Sequence, residues 1–398
     1  MFNFVFDRCV NEHPYPNLAP IVDDQTGLGD SYPWIGPLRL IYFVKDHDYP
    51  YTISYTDQPM PEHAYYPVGL GYFSHDIDYF SMMSKQVLDL VCTKQLKVLF
   101  YYHEGDGPHH QKRRLDQLCV THELPTDCYQ FVSGNTMARE LDGFVYFPDH
   151  ELFYWRNSVV KDGQVMTGCE PHQHPRTRQF TALSRIHKWW RATVMARLHQ
   201  LKLLDASYWS YNTISMSDDD STGPLRFNPI QIWPFKGLEG DIEQFVAGAP
   251  YTCDTLTSDS HNQHWQYVPE HYENAYCNLV LETFFDADAT NCTFISEKTF
   301  KPIRHGQPFV VFGTPNTLTT LKELGYRTFD HAVDNSYDLY CDNTERFKRV
   351  VNTVDKLAHL DLHKWYDSCW EDIVHNQQLF LAPKYNRLNS LYLNLISK

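Results

Sequence analysis

Residues Phe294–Asp330, FISEKTFKPIRHGQPFVVFGTPNTLTTLKELGYRTFD, decide the reading of this chain. Two short apolar runs, Cys292–Ile295 and Pro308–Phe312, flank a polar segment. Beyond Gly313 and Pro315, Leu318, Leu321 and Leu324 recur at helical spacing until Gly325 stops them. A further apolar run, Tyr276–Glu282 (YCNLVLE), lies just upstream. Buried runs alternating with helical patterns predict an α/β fold on parallel sheet, where ligands sit beyond the carboxyl ends of the strands. Ser296, Glu297 and Lys298 stand at such an end and open a helix. There a Ser can cap the helix, a Glu can accept two sugar hydroxyls and a Lys can face a diphosphate. A capped surface helix accounts for the same residues without any chemistry.

Composition bounds the function. A chain of 398 residues is long enough for two domains. Its 27 Tyr, 24 Phe and 9 Trp supply a core and leave aromatic rings to line a carbohydrate cleft. No apolar run approaches the about 20 residues of a membrane span, and the opening MFNFVFDRCVNEHPYP is not a signal-peptide pattern. The ten cysteines include no C-x-x-C pair, so buried thiols in a reducing cytoplasm are expected rather than a disulfide frame or a zinc site. Asn291-Cys292-Thr293 fits a glycosylation sequon and, without a secretory signal, is taken as chance. A formal charge of −15 argues against a generic nucleic-acid binder. Basic islands at Lys112–Arg114, Arg176–Arg191 and Lys298–Arg304 suit a confined anion such as a nucleoside diphosphate, the first of them reading as a solvated face.

Along the chain, residues 1 to about 95 read as irregular loops around a few apolar runs and a short helix at Ser84–Val91. Leu96–Tyr102 is a buried strand that delivers His103, Glu104 and Asp106 onto a Gly-rich turn, where Glu, Asp or His can serve as a base. The competing reading is a turn whose carboxylates cap the helix Gln111–Cys119. The strands Gln130–Val132 and Gly143–Phe147 follow, and Ser133 and Asn135 after the first are candidates to touch an acceptor or simply to make a turn. The loop Asp162–His174 closes a first domain, its His172 and His174 lacking a partner in register for a metal. The strand Gln179–Leu183 then brings Arg185, Lys188 and Arg191 to the start of a helix carrying Val194, Leu198, Leu201 and Leu204, a sound diphosphate site. Asp218-Asp219-Asp220 sits in a loop composition and is not read as a metal motif. Glu282 ends its strand as a candidate for a ribose or base, or for a structural hydrogen bond. Helices are expected at Asn343–Leu357 and Leu362–Leu381, the latter bearing His375-Asn376 in a structural role.

Glu297-Lys298, a helix, and Gly306-x-Pro308 before a strand resemble the donor-site motif of family 10 (fucosyltransferase-like) glycosyltransferases. The run EKTFKPI…G.PF…G.P..L..L...G..TF resembles glycosyltransferase sequences of phages and bacteria even more nearly, over about Phe180–Asp330. The resemblance implies a GT-B arrangement of two Rossmann-like α/β domains facing a central cleft. Residues 1–175 would form the acceptor side, 176–360 would bind the nucleotide-sugar, and 361–398 would be helical and pack back on the first domain. It implies a UDP- or GDP-linked donor held by Arg185, Lys188, Arg191, Glu282, Ser296, Glu297 and Lys298. It also implies Glu104 as base for an inverting transfer that needs no metal or other cofactor. Ala182 and Ser184 stand where many relatives have Cys and Asn. The acceptor would be a glycan or polysaccharide or, in a phage, a hydroxylated DNA base. A protein of the same fold that binds nucleotide or carbohydrate without catalysis is the alternative.

Overall fold

The computed structural model describes residues 1–6, 39–70, 73, 76–105, 107–161, 164–165, 168–214, 237–253, 267–286 and 293–398. Asp106, Asp218–Asp220 and the sequon's Asn291 lie outside them. The chain divides into two compact units, one made of Met1–Arg156 with Pro383–Lys398 and the other of Asn157–Ala382. The positions 175/176 and 360/361, expected from sequence to separate segments, fall inside the second unit. Among the described residues no helix is long and apolar enough to cross a membrane.

The first unit is built on a six-stranded sheet ordered β2-β1-β3-β4-β5-β6, with every pair parallel. Its strands are β1 (Phe2–Phe6), β2 (Tyr51–Tyr55), β3 (Ala64–Leu70), β4 (Lys97–Tyr102), β5 (Tyr129–Ser133) and β6 (Phe144–Tyr146). Its helices are α1 (Arg39–Asp46), α2 (Lys85–Cys92), α3 (Pro108–Thr121) and α4 (Asp149–Val159), the last running across the division. Alternation along β4 feeds two cores, as a strand period of two requires. Val98, Phe100 and Tyr102 join Val87, Val91, Leu115 and Leu118 of α2 and α3 on one face. Leu99 and Tyr101 join Leu40, Ile41, Phe43, Val44 and Leu152 on the other.

The expectation of irregular loops up to residue 95 is therefore corrected, because three of the six strands lie there. β3 hides in the sequence behind Pro67 and Gly69, which read as breakers. Pro67 is tolerated because β1 pairs with β3 only at Ala64 and Tyr65, so on that side no ladder bond is asked of residue 67.

The second unit holds a short hairpin, β7 (Val160–Lys161) with β8 (Gln164–Val165), and a parallel sheet ordered β10-β9-β11-β12. The sheet strands are β9 (Arg178–Ile186), β10 (Tyr208–Ile214), β11 (Ala275–Leu281) and β12 (Phe309–Phe312). Of the two apolar runs in the deciding stretch, only the second is a strand of that sheet. The helices are α5 (Trp189–Gln200), α6 (Glu239–Ala247), α7 (Pro269–Glu273), α8 (Glu297–Arg304), α9 (Thr317–Glu323), α10 (Asn343–Ala358), α11 (Leu362–Ser368) and α12 (Trp370–Leu381). The single helix expected over Leu362–Leu381 is two, interrupted at Cys369. The interruption accompanies two anchors, Trp365 Nε1 to the Ala332 carbonyl (2.9 Å) and Tyr366 Oη to the Gly306 carbonyl (3.0 Å). Gly306 has φ +65°, and a Cβ there would meet Pro171 Cβ at 2.7 Å, so this motif glycine is demanded by the backbone. Arg346, wholly buried, ties the strand ends together by donating to the carbonyls of Gly313 (3.1 Å), Tyr340 (2.6 Å) and Phe285.

Both described units are thus α/β with parallel sheets. The chain returns to the first unit through α13 (Tyr385–Ser397), whose Leu388, Leu391 and Leu395 enter the same core as Leu99 and Tyr101. A fully buried carboxylate fixes this return. Glu151 on α4 meets Lys384 Nζ at 3.2 Å and Arg387 Nε at 2.9 Å. Beside it, His47 Nδ1 accepts the Lys384 backbone N–H at 3.3 Å.

Two outcomes follow. Glu151→Ala removes the anion from between two cations and should cost about 3–5 kcal/mol of stability in urea unfolding. Burial, then Lys384, push the His47 imidazole from its ordinary 6.5 down to about 4. The unfolded chain therefore binds a proton in a range where the folded one does not, so this group's stabilisation is complete above pH 6.5 and is lost as pH falls towards 4. Urea midpoints at pH 7.5 and 5 should differ less in His47→Asn than in the wild type.

Candidate functional site

In the second unit the fully buried β11 ends by delivering Glu282, also fully buried. Its carboxylate accepts four donors: Ser296 N (3.1 Å), Ser296 Oγ (2.6 Å), Thr299 Oγ1 (2.5 Å) and Thr283 N (2.9 Å). These fill the acceptor positions a carboxylate offers. The Glu282 carbonyl takes Arg191 Nε (3.2 Å) and Nη2 (2.7 Å), while Arg191 Nη1 reaches the Ile186 carbonyl (3.2 Å). Burial pushes the Arg191 guanidinium down to about 10, with Glu282 and Glu297 opposing the shift. Glu282 and Arg191, both candidates for donor contact from sequence, thus brace the ends of β9 and β11 against α5 and α8. Ser296 caps α8 as the sequence indicates, accepting Lys298 N at 3.4 Å.

On this base stands a group of cations. Lys298 Nζ reaches Glu297 Oε1 (2.9 Å), Ser296 Oγ (3.3 Å) and Thr283 Oγ1 (3.3 Å). Glu297 is only 4% exposed. Arg185, exposed at the end of β9, feels the Glu297 charge, as does Lys301. Burial is the main force pushing the Lys301 ammonium down to about 8; Glu297 opposes it, while Lys298 and Arg185 add to it. Lys298, Lys301 and Arg185 thus all interact with the Glu297 carboxylate at the opening of α8. Lys188 shares Thr283 with Lys298, its Nζ bonded to the Thr283 carbonyl (2.8 Å) and 5.0 Å from the Phe284 ring centre. Lys301 escaped the sequence reading, although its spacing of four from Glu297 and three from Lys298 puts all three side chains on neighbouring positions of one helix.

In the first unit, a second polar cluster lies beyond the carboxyl ends of β4 and β6. His103 Nε2 is 3.4 Å from Glu104 Oε1. His103 and Lys298 belong to different units. Glu104 is held down to about 2: burial would raise it, but the His103 hydrogen bond, His150 and Arg39 overcome that. Burial, with Arg39, holds His103 below its ordinary value, against Glu104 and Asp149. Asp149, itself buried, accepts from Arg39 Nη1 (2.8 Å) and Tyr101 Oη (2.5 Å), and the His150 ring lies 6.3 Å from that of His103. Asn135, the other acceptor-side candidate, is buried with its side chain engaged: Nδ2 donates to the Gly105 carbonyl (2.5 Å) and Oδ1 accepts Met137 N (2.9 Å). It holds the Gly105 backbone in place. Asp149 and His150 were findable as residues just past a short parallel strand. Arg39 was not, being 110 residues from its partner. The His172 and His174 rings are 5.4 Å apart, and among the described residues no three His, Cys, Asp or Glu side chains group as a metal site would.

Glu282→Gln would turn an amide N–H₂ towards backbone and hydroxyl donors. It should lower stability by about 1–3 kcal/mol in chemical denaturation and loosen the start of α8, read as faster amide exchange at Lys298.

The sequence matches no established family profile and no curated protein sequence. Among solved structures it is similar, at a distance, to an S. aureus TarM mutant in complex with fondaparinux, alpha-GlcNAc-glycerol and UDP. That likeness has 10% identity and a TM-score of 0.30, covering 76% of this chain and 55% of that one. It is also similar to a GtfA/B complex, at 11% identity and a TM-score of 0.32, covering 79% of this chain and 60% of that one. The chain thus spans less than two thirds of either structure, and likeness this distant does not carry the chemistry across.

Proposed function

We propose that this chain is a glycosyltransferase of the GT-B arrangement, moving a sugar from a UDP- or GDP-linked donor to an acceptor hydroxyl with inversion. The observation that supports it best is the gathering of Arg185, Lys298 and Lys301 around the carboxylate of Glu297, beyond the carboxyl end of β11. A diphosphate is attracted by these cations, and the first turn of α8 adds its dipole. As the bond between sugar and diphosphate breaks, charge grows on the leaving group, and three fixed cations stabilise it without calling on a metal. Glu297 orients a ribose or sugar hydroxyl. Arg191, Glu282 and Ser296 hold the opening of α8 in place, and Lys188 secures the segment after β11. The first unit supplies the base that takes the acceptor proton, from the cluster at the end of β4.

For the acceptor, the acidic chain and its many aromatic rings favour a glycan over a hydroxylated DNA base. Acceptor binding that weakens steeply with salt would reverse that choice.

A thermal-shift screen against UDP, GDP, CMP and dTDP tests the donor site. The matching nucleotide should stabilise the wild type, by about 2.7 kcal/mol at a hundred times its Kd, and should do so far less in Lys298→Ala and Lys301→Ala. If none of the four raises the wild-type Tm, the donor site is not there. The Lys301 ammonium supplies a second readout. A bound diphosphate raises its pKa from about 8, so binding at pH 8.5 should take up protons in calorimetry, and Lys301→Met should abolish that uptake.

A further inference from the structure

We propose that Cys119 and Cys128 form a redox site, a dithiol that an oxidant of the peroxide class closes into a disulfide between α3 and the start of β5. The proposal stands on the first unit alone and does not rest on the transferase reading.

A buried cysteine ordinarily serves as a small apolar side chain, inert among carbon neighbours. These two differ because their sulfurs meet. Cys119 Sγ and Cys128 Sγ lie 3.5 Å apart and share a hydrogen bond, in the core that Leu115, Leu118 and Leu124 line. A disulfide holds its sulfurs at about 2.0 Å, so closure asks for an approach of about 1.5 Å. The backbone between them is already folded back. Leu124 N donates to the Cys119 carbonyl (2.9 Å) and Cys128 N to the Pro125 carbonyl (3.1 Å). With the sulfurs already in contact, little chain entropy stands against the bond.

The segment that separates the two cysteines is also the way in. Val120, Thr121, Glu123, Thr126 and Asp127 are exposed. The helix ends at Thr121, and helix ends fray. Glu123 has φ +54°, a left-handed conformation that is costly for a residue with a Cβ. A cover so short, exposed and strained opens more readily than the sheet beneath it, and a peroxide is little larger than water.

The proton between the sulfurs sets the order of attack. The bond with Cys128 lowers the Cys119 thiol, against burial and Asp116, while the same bond and burial raise Cys128. Lys112, paired with Asp116 at 3.0 Å, adds to the lowering. Cys119, as thiolate, attacks one peroxide oxygen. The O–O bond breaks, the departing oxygen takes up the thiol proton and leaves as water, and Cys119 becomes a sulfenic acid. Cys128 Sγ then attacks that sulfur and the S–O bond breaks. The departing hydroxide takes the Cys128 proton and leaves as a second water. Two thiols are oxidised to one disulfide, and one peroxide is reduced to two waters.

The test treats the folded full chain with hydrogen peroxide at neutral pH, blocks the remaining thiols with iodoacetamide in denaturant, and reads the peptides by mass spectrometry. Peptides joined through Cys119 and Cys128, lighter by two hydrogens than the reduced pair, are expected, and dithiothreitol should separate them. The oxidised chain should melt above the reduced one, because the bond restrains the unfolded chain. In Cys128→Ser the sulfenic acid meets no second thiol, so dimedone should label Cys119. Should that variant fail to fold, Cys128→Ala serves, and the wild-type disulfide is read without any variant. Recovery of Cys119 and Cys128 as free thiols at a dose that oxidises the exposed Cys92 and Cys341 overturns the proposal. So does a sulfinic acid at each of the two, a disulfide from either to another cysteine, or an oxidised chain that melts below the reduced one.

Discussion

A buried carboxylate at the end of a buried strand is the constraint on which the second unit turns. An ionised group out of water is tolerated only when its hydrogen bonds are complete and opposite charge is near. Glu282 meets both conditions, with four donors from Thr283, Ser296 and Thr299 and the Arg191 guanidinium on its own carbonyl. Because three of those donors belong to the cap and first turn of α8, satisfying Glu282 fixes where that helix begins. The position of Lys298 and Lys301 then follows from helical geometry. The place of Lys298 and Lys301 is thus set by a buried anion.

The two units divide the charge between them. In the second, Lys298, Lys301 and Arg185 gather at the Glu297 carboxylate, despite an excess of acidic residues over the whole chain. In the first, a cluster of two carboxylates and two histidines is steadied by Arg39 and Tyr101. Such an arrangement suits proton transfer more than anion binding, because each titratable group there is shifted or held by another.

Much of this was legible in the sequence, for reasons that can be named. β4, β5, β11 and β12 are continuous apolar runs ending at polar residues, which is how strands covered on both faces read. The residues following them, His103, Asn135 and Glu282, were found by position. What position could not give was direction: Asn135 and Glu282 turn inwards to hold backbone. β3 was masked by Pro67 and Gly69, whose effect depends on which edge of the strand is paired. The Arg39–Asp149 and Glu151–Lys384 pairs join residues 110 and more apart, and no local pattern announces them. Lys301 was legible in principle, four residues after Glu297, and was passed over because the motif draws the eye to Lys298.

The return of the chain at Pro383 has a consequence for its biosynthesis. Residues 1–156 emerge from the ribosome first, yet the apolar face that receives Leu388, Leu391 and Leu395 has no cover until the last turn of the chain is made. The second unit, continuous from 157 to 382, has all its residues before the first unit has all of its own. Vectorial folding, usually completed from the N-terminus onwards, must here end where it began. That strip of core waits uncovered by α13 through the synthesis of residues 157–382.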